Sequence, residues 1–68
     1  MQREPLLILA SKVKALRRQR GLTQEQVADR SGLHVTYIAG IEGGRRNPSY
    51  ISLLALAKGL QAEPSELF

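Results

Sequence analysis

Three residues, Gly32-Leu33-His34, are all that separate two stretches of helical patterning, and this spacing constrains the fold more than any other feature of the chain. The first stretch runs from about Gln24 to Ser31. Thr23, with Gln26 three positions on, is a capping-box pattern that satisfies two otherwise orphaned backbone N–H groups and so marks a helix start. Val27 and Ala28 are placed inward on it, Glu25, Asp29 and Arg30 outward, and Gly32 ends it. The second stretch runs from about Val35 to Glu42, and Gly43-Gly44 closes it. Two short helices joined by so tight a glycine-containing turn predict a helix-turn-helix unit.

The flanks read as helices too. Leu9, Val13 and Leu16 recur at i, i+4 and i+7, an inward stripe on a first helix that begins near Pro5 and stops at Gly21. Lys12, Lys14, Arg17, Arg18 and Arg20 load its second half with positive charge, at the end where the helix dipole favours cations. Pro48 lies where a fourth helix begins, with Asn47 or Ser49 as its N-cap, and Leu53, Leu56, Ala57 and Leu60 form its inward stripe. Pro64 starts a last helical turn carrying Leu67 and Phe68. Nowhere do Val, Ile, Thr and aromatic residues alternate over the length of a strand. The expected fold class is all-α, five helices with short loops in one compact domain over residues 1–68, since 68 residues leave room for one core only.

Several function classes drop out. The chain has no Cys and one His, too few ligands for a zinc site of thiolate and imidazole. It also lacks a Cys nucleophile, a carboxylate pair at useful spacing and a phosphate-cradling glycine motif, so no enzymatic activity is expected. No cofactor and no small-molecule ligand are expected either. The apolar run Leu6 to Ala10 is as long as any in the chain and is far short of the roughly 20 residues that span a bilayer. The chain is expected to be soluble and cytoplasmic, without a membrane partner.

Charge and the third helix point to a partner. Ten Lys and Arg against six Asp and Glu give a net charge of +4, and nine of the ten basic residues fall in residues 1–46. That concentration suits a polyanion-binding face. On a helical wheel, Ile38 and Ile41 define the buried side of the third helix, and Thr36, Ala39, Gly40 and Gly43 fall opposite. This outer face carries no charge and, Tyr37 apart, no large side chain. A small, uncharged face fits close approach into a DNA major groove, where the N-terminal residues of a recognition helix reach base edges. Gly40 supports the reading, because a mid-helix glycine costs roughly 1 kcal/mol relative to Ala and clearance against the duplex accounts for it. Glu42 falls toward the core edge, where it needs a cationic partner, and Arg17 is expected to supply it.

The residues Leu16-Arg17, Gly21-Leu22-Thr23-Gln24-Glu25-Gln26-Val27-Ala28, Gly32-Leu33, Ile38, Ile41-Glu42-Gly43-Gly44 and Asn47-Pro48-Ser49 together closely resemble the Cro/Xre (lambda-repressor-like) helix-turn-helix family. Residues 36–42, with Arg46-Asn47-Pro48-Ser49 behind them, look most like its restriction–modification controller proteins. The resemblance implies a five-helix lambda-repressor-like domain that binds a palindromic operator as a symmetric dimer, with RNA polymerase as a further candidate partner. By position it implies that Gln24 contacts a phosphate and that Val35, Thr36, Tyr37 and Gly40 face DNA. It implies that Arg45 and Arg46 follow the backbone and that Arg17 and Glu42 form an interhelical ion pair. Val35 stands where many controller proteins carry a basic residue, which removes a paired contact to guanine. His34 replaces the usual Ser or Asp cap, so it is expected to cap poorly or to touch a phosphate instead. Hydrogen-bond readout of bases is then sparse, and much of the specificity is expected to come from DNA shape.

A dimer contact is expected on the fourth helix, where Ile51, Ala55 and Gly59, spaced by four, form an apolar strip with Tyr50 and Phe68 close by. Leu6, Leu7 and Ile8 are left between two roles, core extension or a second contact. Two other readings stay open: a phage or plasmid repressor, and an antitoxin or protein-binding module on the same fold. The operator sequence and the sign of regulation are not legible in the chain.

Overall fold

In the computed structural model, residues 3–68 are described. They form four α-helices, α1 (Arg3–Gln19), α2 (Gln24–Ser31), α3 (Val35–Glu42) and α4 (Tyr50–Gly59), followed by a 3₁₀ turn (Pro64–Leu67). The expected fifth helix is therefore a single 3₁₀ turn. Four residues starting at a proline provide too few i→i−4 bonds to build an α-helix.

Each boundary has a local chemical cause. α1 buries Leu6, Ala10, Val13 and Leu16, one face at helical spacing. It ends because Gly21 adopts φ +66, which lets Leu22 N–H donate to Arg17 C=O at 3.1 Å and Gly21 N–H to Arg18 C=O at 3.0 Å. α2 opens on the capping box: Gln26 N–H donates to Thr23 Oγ1 at 3.1 Å, and Thr23 N–H donates to Gln26 Oε1 at 2.8 Å. Gly32, at φ 75, closes it. At the start of α3 the expectation of a poor cap is corrected. His34 Nδ1 accepts the Thr36 N–H at 3.2 Å, its lone pair serving as a Ser or Asp oxygen would. Ser49, not Asn47, caps α4, accepting the Ser52 N–H at 3.1 Å.

The core lies where these helices converge, with Val13, Val27, Ile38, Ile41, Leu56 and Leu60 fully buried. α1 packs on α3, and α2 packs on both α3 and α4. The α2–α4 crossing is close. A Cβ on Gly59 would lie 2.8 Å from Ser31 Cβ and 2.9 Å from the Val27 carbonyl oxygen. Gly59 is buried there and is withdrawn from the dimer strip. Its spacing from Ile51 and Ala55 is right, but its outward side is occupied by α2. Leu6 extends the core, Leu7 lies against Gly44, and Ile8 faces water.

One helix end is strained. α4 closes with the same pair of bonds as α1, Ala62 N–H to Ala57 C=O at 2.9 Å and Gln61 N–H to Lys58 C=O at 3.1 Å. The left-handed position is filled by Gln61, at φ 56, the one non-glycine with positive φ among the described residues. A Cβ in that conformation costs about 1 kcal/mol. Gln61→Gly is expected to recover this, raising the thermal midpoint by roughly 4–8 °C. A midpoint that falls in a calorimetric scan would show that the Gln61 side chain contributes more than the strain removes.

Candidate nucleic-acid interface

The base of the site is an ionic clamp. Glu42, 5% exposed, ends α3, and Arg17 reaches it from the last turn of α1. Arg17 Nε donates to Glu42 Oε2 at 2.7 Å and Nη2 to Oε1 at 3.0 Å, while Nη1 donates to Leu22 C=O at 2.8 Å. The fork matches the carboxylate with two parallel bonds, the geometry for which arginine is suited and lysine is not. The hydrogen bond to Glu42 holds the Arg17 guanidinium above its ordinary pKa, against an opposing effect of burial. Sequence reasoning missed a third member, because Gln24 Nε2 also donates to Glu42 Oε1, at 3.2 Å. The clamp thus ties the end of α1, the start of α2 and the end of α3 to one carboxylate.

Above it stands α3. Thr36 and His34 are exposed, and Val35, Tyr37 and Ala39 are half-buried. Gly40 departs from expectation. It is buried, and a Cβ there would lie 2.5 Å from Arg46 Cγ and 3.5 Å from both Arg46 Cβ and Cδ. Its glycine makes room for Arg46, not for the duplex, so Gly40 is withdrawn from the residues that face DNA. The cause is the turn after α3. Gly44, at φ 72, sends the chain back, so that Arg45 N–H and Arg46 N–H both donate to Gly40 C=O, at 2.9 and 3.2 Å. The Arg46 guanidinium carbon then lies 5.7 Å from the centre of the Tyr37 ring, within cation–π range. Arg45 turns the other way, its Nη2 only 3.5 Å from Ala39 C=O at the end of the helix.

On the opposite flank, Glu25 and Asp29 rim an open groove of about 430 Å³ floored by Ala28, Leu33 and Val35. His34 and Val35 line the same groove, so its two acids lie beside the start of α3, whereas Arg45 and Arg46 follow the end of that helix. Tyr50, Ile51 and Phe68 are exposed and Ala55 is half-buried, away from the clamp on α4 and the chain's last turn. No helix among the described residues is long and apolar enough to cross a membrane.

An all-helical fold in which α2 and α3, joined by a three-residue turn, are carried on a packed core is that of a helix-turn-helix protein. The chain belongs to the helix-turn-helix family, whose pattern matches residues 13–67. It is 45% identical over 60 residues, 88% of this chain and 78% of the relative, to an uncharacterised HTH-type transcriptional regulator of Sinorhizobium fredii. Its structure is similar to that of the restriction–modification controller protein C.AhdI from Aeromonas hydrophila, with TM-score 0.89 and 43% identity over 93% of this chain and 96% of that one. It is also similar to the controller protein C.Esp1396I, solved as a tetramer in complex with its natural 35 base-pair operator. There the TM-score is 0.87 and the identity 38%, over 94% of this chain and 84% of that one.

Proposed function

We propose that this chain is a sequence-specific regulator of transcription of the restriction–modification controller type, binding a palindromic operator as a symmetric dimer in the cytoplasm. One observation carries the reading. The N-terminal half of α3, with Thr36 open and Val35 and Tyr37 beside it, carries no charged side chain of its own, has the Arg46 guanidinium near the Tyr37 ring, and stands on a base that the Arg17–Glu42 pair ties together. The likeness to a controller protein solved on its operator supports the same conclusion.

The residues divide by chemistry. Val35 and the Thr36 methyl pack on thymine methyl groups, and the Tyr37 hydroxyl works at the groove edge. Arg45 neutralises phosphate. His34 accepts a backbone N–H through Nδ1, which leaves Nε2 as the donor toward a phosphate oxygen. Gln24 gives one amide hydrogen to Glu42 and keeps the other for the backbone. Such contacts position the protein, and the sequence-dependent shape of the duplex supplies a large part of the discrimination. Two copies joined through Tyr50, Ile51, Ala55 and Phe68 set their α3 helices one DNA turn apart, roughly 34–36 Å. RNA polymerase is the further partner that such a regulator engages when it activates.

The test is a salt series on duplex DNA. With Arg45 neutralising one phosphate in each protomer, about two per dimer, affinity is expected to fall at least roughly 10-fold between about 50 and 200 mM salt. An affinity indifferent to salt would exclude phosphate neutralisation and favour a protein-binding module. A methyltransferase gene and an endonuclease gene beside this one would establish the controller context.

A further inference from the structure

We propose that Arg46 is a base-reading residue: its guanidinium, laid along the outer face of α3, makes the paired hydrogen bonds to a guanine edge that Val35 cannot, and Gly40 is the residue that positions it. The proposal rests on the DNA-binding reading above and changes one part of it, since an arginine of the loop would ordinarily be assigned to the phosphates.

The path of the side chain is the main observation. The stem crosses α3 at Gly40, the one position of the helix where it meets no Cβ, with Cγ lying where that atom would be. Its own backbone is fastened to the same residue, through the Arg46 N–H and the Gly40 carbonyl at 3.2 Å. From Gly40 the guanidinium reaches the Tyr37 ring, three residues earlier and so one turn toward the N-terminus of the helix. That is the half of a recognition helix that meets base edges, whereas the phosphates lie outside it on both sides. Glycine below and a ring beside hold most of a long, flexible side chain in one path before any DNA arrives, so less entropy is lost on binding.

The donors are also free. Among the described residues no hydrogen bond engages the Arg46 side chain, which is exposed. Its fork suits the O6 and N7 acceptors of guanine, the commonest specific arginine contact. Arg45 differs on both counts, because its guanidinium lies toward Ala39 C=O and Gly43 at the far end of the helix. Two adjacent arginines that look equivalent in sequence are thus directed to different parts of the duplex.

The experiment compares the wild type with Arg46→Ala, Arg46→Lys and Gly40→Ala, on a preferred duplex selected from random sequences and on every single base-pair replacement of it, at several salt concentrations. The wild type is expected to demand a G·C pair at one position in each half-site. Arg46→Ala is expected to lose that demand, by roughly 5- to 150-fold, and to keep the other preferences. Arg46→Lys keeps the charge without the fork, so the salt slope is expected to stay while the demand is lost. Gly40→Ala is expected to lose the same demand with helicity intact, because alanine favours a helix. If Gly40→Ala proves unfolded, the two Arg46 variants decide alone. The proposal is overturned if Arg46→Ala weakens every duplex alike and lowers the salt slope by about one per protomer, the mark of a phosphate contact. A wild type without any sequence preference would instead overturn the regulator reading itself.

Discussion

Glu42→Ala is expected to destabilise the fold by about 3 kcal/mol, the lower end of the range for breaking a buried ion pair. The lower end applies because the Arg17 side chain, 15% exposed against 3% for Glu42, keeps some water and its bond to Leu22 C=O. The variant loses both arginine bonds and the Gln24 bond at once, and leaves a guanidinium without a counter-charge. A chain of this length has roughly 3–10 kcal/mol of total stability, so much of it goes. Urea unfolding should show a lower midpoint at unchanged slope. Arg17→Met combined with Glu42→Leu is expected to recover most of the loss, since removing both charges also removes their desolvation cost. The pair is insensitive to ordinary pH changes from the arginine side. Because Glu42 raises the Arg17 pKa, this stabilisation is complete below the usual arginine range and is lost only as pH rises through the elevated value. A Glu42→Ala midpoint within about 0.5 kcal/mol of wild type would mean that the clamp is not what joins α1, α2 and α3.

That clamp was half legible in the sequence, and the reason is geometric. A helical wheel locates Glu42 at the edge of the buried arc, and a buried acid needs a cation, so Arg17 follows. Gln24 does not follow, because its reach to Glu42 depends on the angle between α2 and α3. Helix ends were the most legible features, since Thr23 with Gln26, Gly21 and Gly32 act through bonds only a few residues long. The errors share one cause. A wheel treats a helix as isolated, so Gly40 falls on the open side, whereas the returning chain covers it with Arg46. Gly59 fails the same way, because a small residue at i+4 looks identical whether a second molecule or α2 packs against it. The Gly43-Gly44 pair was the available signal, for a left-handed residue after a helix turns the following arginines back over its last turns.

Ile51→Glu is expected to convert the proposed dimer to a monomer and to weaken operator binding by roughly 100-fold. Ile51 is 72% exposed, the most exposed of the large apolar side chains among the described residues, with Tyr50 at 64% beside it on α4. Phe68, at 61%, follows the 3₁₀ turn, which packs against both α4 and α1, and its carbonyl accepts from Lys12 Nζ on α1 at 2.7 Å. A two-fold axis through this part of α4 would bring each Ile51 near its symmetry mate, and a glutamate there would place two like charges in an apolar contact. The fold should survive, since a largely exposed surface position tolerates substitution within about 0.5 kcal/mol. Operator binding depends on the contact through linkage: in a dimer the second half-site is engaged at high effective concentration, and its loss costs about 10²–10⁴ in affinity. The rival apolar residue is Ile8 on α1, 52% exposed. Sedimentation equilibrium separates the two, with Ile51→Glu expected at the monomer mass and Ile8→Glu at the dimer mass. A dimer mass for Ile51→Glu together with a monomer mass for Ile8→Glu would move the two-fold contact from α4 to α1, and with it the spacing of the two α3 helices on the duplex.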